Sequence, residues 1–192
     1  PGLRDVDFKS IGRAIEFLHH PPRTKYAELL QNIVLAFEGK KILIHEKDSS
    51  TSDDDWPQFL SDQILKVNVG KLAKLGEWSF EITRDIGTGL HQKSKLTQDP
   101  FLAFVDADMI RLPIDIRTTR EGDRFAPFGM GGHSMKLSDF WINSGLPRRG
   151  RKQWPLICSG GDIIWIPGFR ISEKVKITSK TRDVFRLSLK KC

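Results

Sequence analysis

The stretch R-E-G-D-R-F-A-P-F-G-M-G-G-H (residues 120–133), continued by K-L-S-D-F-W (136–141) and L-P-R-R-G-R-K-Q-W-P-L (146–156), decides how this chain is read. Gly122, Gly129, Gly131 and Gly132, with Pro127 among them, supply the turn chemistry of a loop rather than a core strand. Leu137, Phe140 and Trp141 then fall at i, i+3 and i+4, so they share one face of a short helix on which Lys136, Ser138 and Asp139 stay polar. Ser144-Gly145 is its stop. Pro147 suits the first turn of a second helix, which Pro155 closes after Trp154. On that helix Arg148, Arg151 and Lys152 share a face, Arg149 lies to one side, and no carboxylate is interleaved to neutralise them.

Toward the C-terminus, Leu156–Cys158 and Ile163–Ile166 predict a β-hairpin around S-G-G-D (159–162). This tetrapeptide is similar to the S-G-G-x-D-S loop with which PP-loop ATP pyrophosphatases hold phosphates. That loop, however, opens a helix whose N-terminal amides face the phosphates. Here the following residues, Ile163-Ile164-Trp165-Ile166, favour a strand, Asp162 comes one position early, and no serine follows it. A hairpin and no ATP site is the expectation. Gly129-Met130-Gly131-Gly132 likewise lacks the strand-to-helix framing of a dinucleotide fingerprint, and no Ser/His/Asp triad stands out.

Toward the N-terminus, Asp7–Leu18 predicts a helix capped by Asp7, with Phe8, Ile11, Ile15 and Leu18 on one face. Ile33–Phe37 and Lys41–His45 predict a hairpin about Glu38-Gly39-Lys40. Ser49–Pro57 reads as a loop, and Ile64–Val69 and Trp78–Thr83 as two strands joined by a turn over Lys71–Gly76. Asp85–Asp99 is a polar, mobile connection, after which Phe101–Asp106 and Ile114–Thr118 are strands. The fold class is α+β: a mixed helix and antiparallel-strand half, residues 1–109, then a small basic domain, residues 110–192. The boundary is expected near residues 107–113.

Composition bounds the function classes. With 39% hydrophobic and 29% charged residues over 192 positions, the chain is an ordinary globular one. It has no long apolar run and no signal-peptide pattern. Two cysteines, Cys158 and Cys192, give no disulfide framework and favour a reduced, cytoplasmic setting; His19, His20, His45, His91 and His133 lack metal-ligand spacing. The net charge of +7 is uneven: from Ile110 onward 17 Lys+Arg face 7 Asp+Glu, leaving the earlier part acidic. Such a basic half is the footprint of a surface that meets a polyanion, or of a simply solvated face.

The order G-D-R-F-A-P-F-G, K-L-S-D-F, L-P-R-R-G-R-K-Q-W-P-L and G-D-I-I-W-I-P-G-F-R-I-S resembles the C-terminal region of bacterial tRNA(Ile)-lysidine synthase, specifically from about Arg117 to Ser172. Family members often carry further basic residues before K-L-S-D-F; here Ser134 and Met135 precede the single Lys136. The resemblance implies a whole enzyme, an ATP-dependent carbon–nitrogen ligase using ATP and magnesium. It joins lysine to the wobble cytidine of the CAU anticodon of isoleucine tRNA. The catalytic PP-loop half is expected upstream of Pro1, so this portion by itself is expected to be inactive, to hold no cofactor or metal, and to grip and discriminate the tRNA. Its expected RNA-facing residues are Arg117, Arg120, Arg124, Lys136, Arg148, Arg149, Arg151, Lys152 and Arg170. A stand-alone RNA-binding module and a dimerisation domain are the rival readings, and homodimerisation is left open.

Two local readings stay open on sequence alone. Asp123 braces the turn while Arg124 pairs with a carboxylate elsewhere, or Arg124 touches RNA phosphate. Phe125, Phe128, Phe140, Trp141 and Trp154 are core residues or base-stacking platforms, with the core favoured.

Overall fold

The computed structural model describes residues 7–20, 26–30, 33–38, 41–46, 56–60, 63–85 and 99–192. They divide into two compact units, Pro1–Asp55 and Trp56–Cys192. The first holds helix α1 (Phe8–His19) and a three-stranded antiparallel sheet, β1 (Tyr26–Leu30), β2 (Ile33–Glu38) and β3 (Lys41–Glu46), in that order. Asp7 caps α1 as its sequence predicts, its Oδ1 accepting the Ser10 amide at 2.7 Å. The face expected to be buried is not: Phe8, Ile11, Ile15 and Leu18 are exposed, while Ser10 and Phe17 are buried. The β2–β3 hairpin pairs Glu38 with Lys41, as expected.

The second unit contains two larger antiparallel sheets. One runs in the order β13 (Arg170–Ile171), β12 (Asp162–Ile166), β11 (Leu156–Ser159), β8 (Ile114–Arg117), β4 (Leu65–Val67). The other runs β5 (Leu72–Leu75), β6 (Trp78–Asp85), β14 (Val184–Lys191), β7 (Leu102–Asp106). The unit also holds a two-residue pairing of β9 (Arg124–Phe125) with β10 (Met135–Lys136), the helices α2 (Leu137–Asn143) and α3 (Arg148–Arg151), and short 3-10 turns at Ala107–Met109 and Glu173–Val175. The class is α+β, mostly strands.

The apolar runs L-I-C and I-I-W-I become intelligible here, because β11 and β12 are covered on both faces. Ile157, Ile164 and Trp165 pack with Phe80, Ile82, Val105 and Leu187 of the four-stranded sheet. Leu156, Cys158, Ile163 and Ile166 pack with Phe125, Leu137, Phe140, Trp141 and Trp154 on the other side. A bulge sets this up: Ile157 pairs with Trp165 but Cys158 with Ile163, so Ile164 is an extra residue that shifts which face its neighbours occupy.

Three observations bear on the sequence reading. The expected boundary at residues 107–113 does not coincide with the division between units, because β4 pairs with β8, and β6 and β7 with β14. The turn expected over Lys71–Gly76 is mostly strand β5, whose Ala73 and Leu75 are buried between exposed Leu72 and Lys74. β4 and β6 consequently belong to different sheets. Strand β14, unanticipated, is central: Val184, Phe185, Leu187, Ser188 and Leu189 are buried, Arg186 is partly buried and Lys190 and Lys191 are exposed, a core strand masked by a basic, polar composition. Of the loop expected over Ser49–Pro57 and the mobile connection expected over Asp85–Asp99, residues 49–55 and 86–98 lie outside the described residues.

The S-G-G-D segment is a two-residue hairpin, with Ser159 opposite Asp162 and Gly160 and Gly161 at φ 57° and 91°. Both central residues take positive φ, as a primed hairpin turn requires. Ser159 Oγ donates to the Arg111 carbonyl at 3.0 Å and accepts the Arg111 amide at 2.7 Å; Asp162 pairs with Lys174 at 2.7 Å. A strand, not a helix, follows.

Gly150 in α3 is a close-approach position: a Cβ there would lie 2.8 Å from the ring of Trp56. Alanine in a helix interior ordinarily stabilises by about 1 kcal/mol relative to glycine. Here the clash should win, so Gly150→Ala is expected to lower stability by about 1–3 kcal/mol in chemical denaturation. A stabilised variant would show that Trp56 is free to move aside.

Candidate nucleic-acid interface

The site is built outward from the end of β8. Arg117 is buried, and its guanidinium makes a bidentate pair with Asp123, Nη1 to Oδ2 and Nη2 to Oδ1, both 2.8 Å. Nη1 also donates to the Thr118 carbonyl at 2.9 Å. Burial works against this charge, but hydrogen bonding and attraction from Asp123 outweigh it, leaving the guanidinium more basic than usual. Beneath it the Cys158 thiol is pushed up to about 12, chiefly by burial, and stays protonated.

Asp123 does more than pair. Its Oδ2 accepts the Arg120 amide at 2.8 Å, closing the turn, and its carbonyl accepts the Leu137 amide at 2.9 Å, fixing the start of α2. Asp123 therefore braces the turn. The carboxylate partner that one of the two open readings gives Arg124 is absent among the described residues: Arg124 donates to Ser134, reaching its carbonyl at 3.0 Å and its hydroxyl at 3.1–3.2 Å. A neutral partner orients the guanidinium and leaves its charge uncompensated.

α2 carries Leu137, Phe140 and Trp141 inward, as the spacing predicts. It ends on Ser144-Gly145, with the Leu146 amide returning to the Trp141 carbonyl at 3.2 Å. Phe140, Trp141, Trp154 and Phe169 form an edge-to-face and tilted ring cluster with centroids 5.3–6.3 Å apart. Phe125, Phe140, Trp141 and Trp154 are thus core residues, and Phe128 is exposed. α3 is a single turn, shorter than the expected helix, with Pro147 as its cap. Thr119 Oγ1 bonds the Arg151 carbonyl at 3.2 Å and ties α3 to the loop.

Between the loop, α2 and α3 lies a cavity of about 690 Å³ lined by Arg120, Arg124, Lys136, Arg148, Arg151 and Lys152, with Trp141 in its wall. Glu121 and Asp123 are its acidic residues, and Asp123 is already committed to Arg117. Among the described residues Arg120, Lys136, Arg148 and Lys152 form no ion pair. Arg151 donates through Nε to the Leu146 carbonyl at 2.7 Å; partial burial first, and the Arg148 charge second, pull its pKa below the usual arginine value. Cations crowded without counter-charge are a ready seat for an anion.

Six of the nine residues expected to face RNA are brought together here. Arg117 is not among them: its fork is spent on Asp123, and it holds the turn instead of facing outward. Arg170 lines a different cavity of about 440 Å³ with Met130, Phe140 and Phe169, its Nη1 donating to the Phe128 carbonyl at 3.3 Å. The side chain of Arg149 lies outside the described residues. Sequence reading missed the wall contributed by Trp141, whose place on the helix face it found but whose ring edge it could not orient. Among the described residues no cluster suited to a metal ion occurs, and no helix is long and apolar enough to cross a membrane.

The glycine-rich loop is tethered on the far side. Gly129, at φ 90°, donates its amide to Glu173 Oε2 at 2.8 Å, and Glu173 also accepts from Lys176. Lys176 first and the Gly129 amide second hold the Glu173 carboxyl below its ordinary value.

Fold and site together define a basic, mostly antiparallel α+β module with a cationic cleft. Residues 114–189 match the family described as the TilS substrate C-terminal domain, and over most of its length the chain is similar to the C-terminal portion of proteins named tRNA(Ile)-lysidine synthase. The tRNA(Ile)-lysidine synthase of Dehalococcoides mccartyi is 35% identical over 98% of this chain and 38% of the relative. That of Clostridium tetani is 29% identical over 94% of this chain and 40% of the relative. That of Clostridium acetobutylicum is 41% identical over 55% of this chain and 23% of the relative. The chain thus spans well under half the length of these relatives. A crystal structure of a TilS C-terminal domain shares the fold, with a TM-score of 0.56 and 24% identity over 67% of this chain and 96% of that one.

Two outcomes test the site's construction. Asp123→Asn should destabilise by on the order of 3 kcal/mol, because it leaves the Arg117 charge buried and poorly paired. The double change Arg117→Met with Asp123→Leu should recover much of the loss, and additive losses in that cycle would contradict the pairing. The depressed Glu173 carboxyl strengthens the tether above the ordinary glutamate range and loses it as pH falls through its lowered pKa. Hydrogen exchange at the Gly129 amide should accelerate over that fall, and Glu173→Gln should exchange fast already at neutral pH.

Proposed function

We propose that this portion grips the tRNA for a lysidine synthase through the cationic cleft between the glycine-rich loop, α2 and α3. The observation that carries this is the convergence of six basic side chains, from three separate sequence segments, on one cavity with a single uncommitted acid. Phosphate oxygens are the partners such a surface fits: arginine forks match them in pairs, and Lys136 and Lys152 add point charges. In the full enzyme, ATP and magnesium at a separate catalytic half would drive ligation of lysine to the wobble cytidine of isoleucine tRNA. An anticodon reading CAU does not separate an isoleucine tRNA from a methionine tRNA, so the difference must come from contacts elsewhere on the RNA body. This cleft supplies such contacts.

Replacing Arg120, Arg148 and Lys152 together by glutamine should flatten the slope of log affinity against log salt by roughly 2–3, since each neutralised phosphate contributes about 0.7–0.9. These side chains are exposed, so melting should stay within about 0.5 kcal/mol of the parent per site. A folded triple variant with the parent's affinity and salt slope would move the RNA surface away from this cleft.

A further inference from the structure

A second recess of the module, about 440 Å³, lies on the other flank of α2 from the cationic cleft. Lys136, Leu137, Ser138 and Trp141 line the cleft, whereas Met135, Phe140, Asn143 and Ser144 line the recess. Its apolar walls are soft and flat: Met130 and Met135 are thioethers, and Phe140 and Phe169 pack edge to face with centroids 5.8 Å apart. Its polar groups are few. Asn143 is exposed, and its amide makes no hydrogen bond among the described residues. Arg170 is exposed, donates to the neutral Phe128 carbonyl at 3.3 Å, and forms no ion pair among the described residues. No carboxylate lines the recess. Met130 and the neighbouring Phe128 stay 41% and 47% exposed, large apolar side chains left uncovered at a site with room for a small ligand.

Resting on the RNA reading above, we infer that this recess takes an unpaired nucleobase of the bound RNA, with the base lying among Met130, Met135 and Phe169, Asn143 reading its edge and Arg170 holding its phosphate. Aromatic and thioether walls accept any flat π-system, and every base has such a face. A base inside a helix is stacked on both sides and does not enter, so the occupant is one that the RNA fold leaves unstacked. The rim distinguishes a nucleotide from other apolar ligands. The Asn143 amide carries a donor and an acceptor side by side, the pairing that a base edge offers in return, and Arg170 supplies a fork for phosphate. An acyl chain or an apolar peptide side chain would leave both groups unused. Distance fits as well: an α-helix with its side chains is about 10–12 Å across, so one RNA can lay phosphates in the cleft on one flank of α2 and a base in the recess on the other. The cleft then supplies charge, and the recess tells a folded RNA with an unstacked base from a plain duplex.

The chain contains three methionines, which makes the recess directly observable by NMR. Met130 and Met135 line it, while Met109, 56% exposed, lines a separate recess beside Arg111 and Ser159 and serves as the internal control. The chain labelled at its methionine methyls is titrated with an isoleucine tRNA transcript and with a blunt RNA duplex that has no unpaired base. Ring current from the seated base should shift the Met130 and Met135 signals with tRNA and leave Met109 in place. With the duplex all three should stay in place. Met130→Ala with Asn143→Ala, both exposed side chains, should bind tRNA about tenfold more weakly, the scale of one stacked base, and keep the parent's melting, salt slope and affinity for the duplex. An unchanged salt slope separates this loss from that of a phosphate contact. Met130 and Met135 signals unmoved at saturating tRNA, equal shifts with the duplex, or a double variant that keeps the parent's tRNA affinity would overturn the base seat while leaving the RNA reading intact. Failure of the parent to bind either RNA would remove the RNA reading and this inference with it.

Discussion

The pairing of Arg117 with Asp123 is the constraint on which the cleft depends. One carboxylate accepts the guanidinium fork and the Arg120 amide, while the carbonyl of the same residue receives the first amide of α2. The end of a buried strand, the closure of a turn and the start of a helix are thereby fixed at a single residue. The consequence is positional. With Arg117 held inward, Arg120 and Arg124 are carried on a turn that cannot drift, facing Arg148 and Lys152 across the cavity. A charge cluster on a loose loop would instead lose part of its binding free energy to ordering.

Beneath this turn the five-stranded sheet serves as a platform covered on both faces. Its outer face carries the ring cluster of Phe140, Trp141, Trp154 and Phe169, and these rings set the height of α2 and α3 above the strands. Trp141 is shared between platform and site, since its ring belongs to the core and also lines the cavity. That sharing explains why the short helices, only seven and four residues long, are sufficient scaffolds: packing, rather than helix length, holds them.

Much of this was legible in the sequence, for identifiable reasons. The i, i+3, i+4 spacing of Leu137, Phe140 and Trp141 fixed the inward face of α2, and β-branched residues after S-G-G-D gave the hairpin away. The basic cluster on α3 and the turn role of Asp123 were equally readable. Strand partners were not, because pairing is non-local: nothing near Leu65 states that its partner is Ile116, or that Val184–Lys191 closes a sheet begun a hundred residues earlier. The setting of Arg117 was hidden for a related reason. Its charge is visible in sequence but its burial is decided by strand β8, and only the fold shows that its fork is occupied. The exposed face of α1 is the opposite case, a periodic apolar stripe that the described residues leave uncovered.

Hydrogen exchange of the chain with and without isoleucine tRNA tests the central claim most directly, because it reads every amide and needs no substitution. Protection on binding should concentrate in Thr119–Arg124, Lys136–Trp141 and Arg148–Gln153, the three segments that enclose the cleft. Protection confined to the four-stranded sheet or to Pro1–Asp55, with those three segments unchanged, would contradict it.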